Sequence, residues 1–287
     1  MVYPEAVRPR QLEDLNKMKK TINFCKMVAA GNDFVVIAEQ LQAKNPELAR
    51  KMCDRKYGVG ADGMLLVEKS SKADIRMRIF NADGSEAEMC GNGARCAAFW
   101  QSVKHKTSNT KLKIETKAGV VESEINGDNV RIKFTEPKDI RLDIPLKVNN
   151  RNLKVNFINT GVPHAIVFVE GLDKIDVHTI GRAIRYHQKF QPNGTNVDFV
   201  EIVNDDFIKV RTYERGVEAE TLACGTGSTA SAIFSSYGSE KSGNRVIKVK
   251  TRGGEILKVF FSKTNSKVSN IWLEGLVRIV YKGGYYV

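Results

Sequence analysis

Ile75, Met77 and Ile79 alternate with Arg76, Arg78 and Phe80, the two-residue period of a strand. This strand runs into the polar turn Asn81-Ala82-Asp83-Gly84-Ser85 and the chain then reaches Cys90. Phe207 to Tyr213 alternates in the same way, passes through Glu214-Arg215-Gly216 and arrives at Cys224. Each cysteine is followed by Gly-x-Gly and an Ala-rich run that predicts a helix. The first run carries Ala94, Cys96, Ala97, Ala98 and Phe99, and the second Ala230, Ala232, Ile233 and Phe234. Strand, polar turn, cysteine, glycines and helix therefore occur twice, at a separation of about one domain length. The repeat predicts two similar α/β halves related by a pseudo-twofold axis, with both helix N-termini facing the cleft between them.

Other stretches fill in the plan. Thr21 to Ile37 reads as two short strands around a turn at Ala29 to Asp33. Asn45-Pro46-Glu47 opens a helix that ends near Arg55, with Asn as cap, Pro at the first position and an acid in the first turn. Tyr57 to Gly63 is too glycine-rich for regular structure and delivers the chain to the apolar strand Met64 to Val67. Lys111 to Thr116, Val120 to Ile125 and Val130 to Phe134 form a meander, turned at Asn126-Gly127-Asp128. Pro137 and the polar, Asn-rich stretch to Asn152 break the pattern and mark a change of domain. Ala165 to Val169 reads as a buried strand, Val177 to Phe190 as one helix stopped by Pro192, and Val197 to Val203 as a strand. Val246 to Lys250, Glu255 to Phe261, Ile271 to Leu273 and Val277 to Tyr281 complete the strands, the last returning to the first domain. The expected domains are residues 18–136 with 277–287, carrying Cys90, and residues 137–276, carrying Cys224. Residues 1–17 read as an extension ahead of Met18, a second candidate start.

With 287 residues, 42% of them hydrophobic, the chain can bury a substantial core. The net charge of +12 fits nucleic acid, an anionic membrane or small acidic substrates equally well. Its Lys and Arg are scattered along strands, without a long basic block or an aromatic-basic stripe, which argues for a solvated surface and against nucleic acid. No apolar run approaches 18 residues, so neither a transmembrane helix nor export is expected. Five cysteines without a regular framework, and without a Cys-x-x-Cys pair, speak against a disulfide scaffold or structural zinc and for a reducing cytoplasm. Cys25, Cys53 and Cys96 read as small core hydrophobes.

A thiol where a helix begins meets unpaired backbone N–H groups and the positive end of the dipole, which favour thiolate. Two such thiols facing one carbon atom could remove a proton from one side and return it on the other, inverting the centre without a cofactor or a metal. The helix N-termini would meanwhile hold a carboxylate and stabilise the charge that develops beside it. The competing readings are a redox pair, since facing thiols can oxidise to an inactive disulfide, and a basic binding protein with structural cysteines.

Several segments together resemble the diaminopimelate epimerase family. They are Gly31-Asn32-Asp33-Phe34, Gly58 to Gly63, Phe80 to Glu86, Cys90 to Arg95, Gly161-Val162-Pro163-His164, Asn196-Val197, Tyr213 to Gly216 and Ala223 to Gly227. The resemblance implies a curved mixed sheet around a central helix in each domain, and cofactor-independent interconversion of LL- and meso-diaminopimelate in lysine and peptidoglycan-precursor synthesis. It also implies a cytoplasmic homodimer with no nucleic-acid or membrane partner. By that likeness Cys90 and Cys224 are base and acid, and the N–H groups of Gly91, Asn92, Gly225 and Thr226 hold the reacting carboxylate. Asn32, Asn81, Asn196, Glu214 and Arg215 fall on its substrate-binding positions, and His164 lies near the site, tuning a thiol or the substrate amine. Some members carry asparagine where this chain has Val162 and glutamine where it has Gly63. Racemases of proline, hydroxyproline or histidine type share the implied architecture and form the alternative.

Overall fold

The computed structural model describes residues 21–38, 45–107, 110–149, 151–237, 242–264 and 267–286. The expected extension, residues 1–17, lies outside them. The first half runs β1 (Thr21–Ala29), β2 (Asn32–Ile37), α1 (Asn45–Cys53), β3 (Gly63–Glu68), β4 (Ile75–Asn81), β5 (Glu86–Ala87), α2 (Gly91–His105), β6 (Thr110–Thr116), β7 (Gly119–Asn126) and β8 (Asn129–Lys133). The second runs β9 (Lys138–Val148), β10 (Arg151–Asn159), β11 (Pro163–Phe168), α3 (Val177–Arg185), β12 (Asn196–Asn204), β13 (Phe207–Glu214), β14 (Ala219–Thr221), α4 (Gly225–Ser235), β15 (Gly243–Lys250), β16 (Ile256–Thr264) and β17 (Lys267–Tyr286).

Strand pairing repeats from one half to the other. β1 and β2 pair antiparallel, β2 and β3 parallel across α1, β3 and β4 antiparallel, and β4 and β6 parallel across α2. β10 and β11, β11 and β12 across α3, β12 and β13, and β13 and β15 across α4 follow the same sequence of directions. A parallel pair needs a crossover, and all four helices are such crossovers, α1 and α3 on the outside and α2 and α4 within. The fold is thus mixed α+β and dominated by sheet, each half curving around one helix.

Alternation along the strands explains how the helices become central. In β2, Phe34 and Val36 face an inner core while Val35 and Ile37 face an outer one beneath α1. In β12, Val200 faces the inner core while Val197 and Phe199 face the outer layer beneath α3. Strands buried on both faces read as continuous apolar runs. α2 and α4 both lie in the inner core, with Ala94, Ala97, Ala98, Ala230 and Ala232 buried against the sheets. Small residues allow strands to pack around a helix on nearly every side; a Cβ on Gly93 would already stand 3.1 Å from Leu65 Cδ2.

Three segments depart from the expectation. The polar residues after Pro137 belong to strands: β9 and β10 pair antiparallel from Arg151 opposite Val148 to Asn159 opposite Lys138. Their outward positions meet water, so polar residues are compatible with a strand there. The helix expected to reach Phe190 ends at Arg185, and extended backbone at His187 (φ −63°, ψ 139°) leads into a short 3₁₀ turn at Gln188–Phe190. That change of direction stacks Phe190 on Phe157, ring centroids 5.5 Å apart, which a continued helix would not. Finally, Ile271–Leu273 and Val277–Tyr281 belong to one strand. β17 pairs in turn with β16, β8 and β1, and so ties the two ends of the chain together.

Candidate active site

Cys90 and Cys224 occupy the N-cap positions of the two central helices. Both have extended backbone, φ −142° and ψ 123° at Cys90, φ −121° and ψ 114° at Cys224. Their carbonyls accept the first helical hydrogen bonds, from Ala94 N and Ser228 N, each at 2.8 Å. Cys224 is buried and Cys90 half-buried. All five cysteines are free thiols.

Burial opposes the expected thiol acidity. Burial is the largest influence on both groups and pushes both above the ordinary thiol range. At Cys90 the N–H groups of Gly93 and Asn92 oppose it, and the Glu214 carboxylate adds to it. At Cys224 the carboxylates of Glu214 and Asp198 add to the burial, against the Thr226 hydroxyl and Gly227 N–H. Desolvation of a charged sulfur outweighs a few backbone donors. One carboxylate, Glu214 at the end of β13, therefore acts on both sulfurs; burial raises its own pKa as well.

A buried polar line leads away from Cys224. Its Sγ lies 3.4 Å from Thr226 Oγ1, which lies 2.9 Å from His164 Nε2. His164 Nδ1 is 2.7 Å from Asp198 Oδ2, and Thr212 Oγ1 donates to the other Asp198 oxygen at 2.7 Å. Thr160 Oγ1 donates to the Thr226 carbonyl at 3.1 Å. A carboxylate only accepts, so His164 donates from Nδ1 to Asp198, and the one Thr226 hydrogen can go either to His164 Nε2 or to the Cys224 sulfur. On the Cys90 side, Asn92 Nδ2 donates to Asn32 Oδ1 at 2.6 Å, and Asn32 Nδ2 to Asp62 Oδ2 at 3.1 Å. Asp62 and Asp33 both hold Arg55, and Asp33 also pairs with Lys26 at 2.7 Å, so the Gly58–Gly63 loop is fastened to the β1–β2 turn beside Asn32.

Asn196 stands at the start of β12 and links the other residues of its end. Its Nδ2 donates to Pro163 O at 3.0 Å and its Oδ1 accepts from Arg215 N at 2.8 Å. Arg215 Nη1 in turn donates to Asn193 O. Asn81, at the end of β4, is exposed and bonds Ser85 Oγ at 2.9 Å within its own turn. Val162 is half-buried just before β11, and a Cβ on Gly63 would stand 2.9 Å from Phe80 O. Asp198, Thr212 and Asp62 were not singled out by sequence reasoning. Asp198 alone left a signal, as an acid inside the otherwise apolar start of β12, Val197 to Val200. Among the described residues, no cluster of three His, Cys, Asp or Glu side chains could hold a metal ion, and no helix is long and apolar enough to cross a membrane.

Two similar halves, each a sheet curved around one central helix, form an architecture that solved structures share. A hydroxyproline epimerase from Agrobacterium vitis aligns with a TM-score of 0.65 at 15% identity, covering 94% of each chain. A PhzF-family phenazine biosynthesis protein from Bacillus anthracis aligns at 0.73 and 19% identity, over 93% of this chain and all of that one. Within that architecture the chain belongs to the diaminopimelate epimerase family, whose sequence model matches residues 24–139 and 156–271. It is similar to the diaminopimelate epimerase of Aquifex aeolicus, 44% identical over 276 residues, covering 91% of this chain and 97% of that protein. The Chlorobaculum tepidum diaminopimelate epimerase is 42% identical, over 90% of this chain and 98% of its own. The chain is accordingly an isomerase.

Proposed function

We propose that the chain interconverts LL- and meso-diaminopimelate, with Cys90 and Cys224 exchanging a proton across one α-carbon. In one direction the Cys90 thiolate takes the α-proton and becomes a thiol, and the electron pair passes into the substrate carboxylate. The Cys224 thiol then gives its proton to the opposite face and is left as thiolate. The reverse reaction begins from that state. The observation that carries the reading is that both thiols cap central helices and feel the same Glu214 carboxylate.

The remaining roles follow from placement. N–H groups of Gly91, Asn92, Gly225 and Thr226 lie in first helical turns, where backbone donors lack a helical partner and can turn to a carboxylate, that of Asn92 sharing its hydrogen with the Cys90 sulfur. Asn32, Glu214 and Arg215 recognise the polar groups of the substrate, with Asn196 fixing the Arg215 backbone and Asn81 at the rim. His164 sets the hydroxyl through which Cys224 holds or releases its proton. Val162 lacks a polar side chain, so recognition of the distal end rests on these neighbours. In the cell the reaction belongs to lysine and peptidoglycan-precursor synthesis, in a cytoplasmic homodimer.

The test is exchange in heavy water, with reduced enzyme and no pyridoxal phosphate. Deuterium should enter the α-position of diaminopimelate with inversion. No exchange in a folded, reduced sample would sink the assignment, and faster exchange into proline or histidine would transfer it to another substrate of the same chemistry.

A further inference from the structure

Arg95 is the largest side chain fully shut off from water among the described residues. Its Nη2 donates to Asn92 Oδ1 at 2.6 Å, while Nε and Nη1 have no hydrogen-bond partner. β17 leaves room for it only through a glycine, since a Cβ on Gly275 would fall 2.2 Å from Nη1. A guanidinium cannot shed its proton, and a buried cation without a counter-charge is costly. Something anionic has to balance it when the site is in its working state.

Three acidic groups act on its charge, in falling order the thiol of Cys96 on its own helix, the carboxyl of Glu255 from the β15–β16 turn and the thiol of Cys90 at the helix mouth. Cys96 is fully buried and remains a neutral thiol, and Glu255 stands in a turn that reaches solvent. Of the three, only Cys90 belongs to the proposed two-thiol site, and it is half-buried where Cys96 is fully buried. Glu214 faces Cys90 from β13 and works the other way.

Arg95 also ends a chain whose polarity admits one arrangement. The guanidinium only donates and the Asp62 carboxylate only accepts. Asn92 must therefore turn Oδ1 to Arg95 and Nδ2 to Asn32, and Asn32 must turn Oδ1 to Asn92 and Nδ2 to Asp62. Each amide keeps one N–H for an anionic substrate group.

Resting on the two-thiol reading, we propose that Arg95 is a positioning residue for the Cys90 half of the site. It is the fixed counter-charge for the Cys90 thiolate, and it sets the amide orientation of Asn92 and Asn32. The charged groups that weigh on Cys224 are instead the carboxylates of Glu214 and Asp198. The two thiols are thus electrically unlike.

Alkylation of the full-length chain tests this without turnover, so its failure is distinguishable from failure of the epimerase reading. Iodoacetamide labelling of Cys90 and Cys224 is followed separately by peptide mass spectrometry as a function of pH. Arg95→Gln keeps a donor for Asn92 but removes the charge. It should raise the Cys90 midpoint by about one unit, lowering its labelling at neutral pH about tenfold, and leave Cys224 unchanged. Arg95→Lys should restore the Cys90 midpoint while raising KM, because a single ammonium does not fix the amide chain. An unmoved Cys90 midpoint, or equal shifts at both cysteines, in folded Arg95→Gln overturns the proposal. Should that variant not fold, the unaltered chain gives the answer: anionic iodoacetate should gain on neutral iodoacetamide several-fold more at Cys90 than at Cys224. Equal ratios at the two sites overturn it.

Discussion

His164 and Asp198 form a fully buried pair, Nδ1 to Oδ2 at 2.7 Å, one hydroxyl away from the Cys224 sulfur. The carboxylate decides which imidazole nitrogen carries hydrogen, and so whether the Thr226 hydroxyl can donate to Nε2. Asp198→Asn can donate to Nδ1 and move that hydrogen to Nε2. We expect epimerisation to fall about 100-fold with KM nearly unchanged, because Asp198 is fully buried behind His164 and Thr226. Steady-state kinetics with a melting curve checks this; a loss confined to KM would contradict it.

Cys90→Ala and Cys224→Ala should each abolish epimerisation, by about 1000-fold or more, while the circular dichroism spectrum stays that of the parent chain. Both residues cap helices through their backbone, with no side-chain cap bond to lose. Near-normal turnover in either variant would contradict a two-thiol mechanism.

Gly227 lies where α4 passes over the buried pair. A Cβ there would stand 2.3 Å from Asp198 Oδ1 and 3.2 Å from His164 Cε1. Gly227→Ala should cost about 2 kcal/mol in denaturant unfolding and should reduce activity further than stability alone explains, because relief of the clash displaces Cys224. Equal stability of variant and parent would show that α4 has slack at this point.

Burial raises the Asp33 carboxyl, but Arg55, Lys26 and the Asp62 N–H outweigh it and hold the group well below the usual carboxylate range. A pKa depressed by folding stabilises the native state in full above its unfolded value, about 4, and that contribution is lost as pH falls toward the depressed value. Asp33→Asn should cost about 2 kcal/mol at neutral pH, and its stability should decline less below pH ~4 than that of the parent. Urea melts across that range measure both; parallel curves would exclude Asp33 as a source of acid sensitivity.

Much of this site was legible because its chemistry is local. A cysteine before Gly-x-Gly after a strand and a polar turn is a short-range pattern, and finding it twice gave the repeat, the helix starts and the likeness to a family. Strand periods held wherever one face was buried. They failed at β9, where outward positions are polar, and at β17, where two apolar stretches proved to be one strand, because strand length is set by the partners available.

What the sequence determined by itself was therefore the inventory: two equivalent thiols, the glycines that let backbone approach, and the polar residues around them. Tertiary structure decided how each thiol behaves. Helix position alone favours thiolate, yet burial reverses that preference at both cysteines, and burial is a sum over segments far apart in the chain. It also made the two sides unlike, with Arg95 bonded to Asn92 on the Cys90 side and the His164–Asp198 pair beyond the Thr226 hydroxyl on the Cys224 side. Arg95 closes the Cys90–Arg95 motif, but nothing in the sequence marks it as buried; only the closure of β17 over α2 removes it from water.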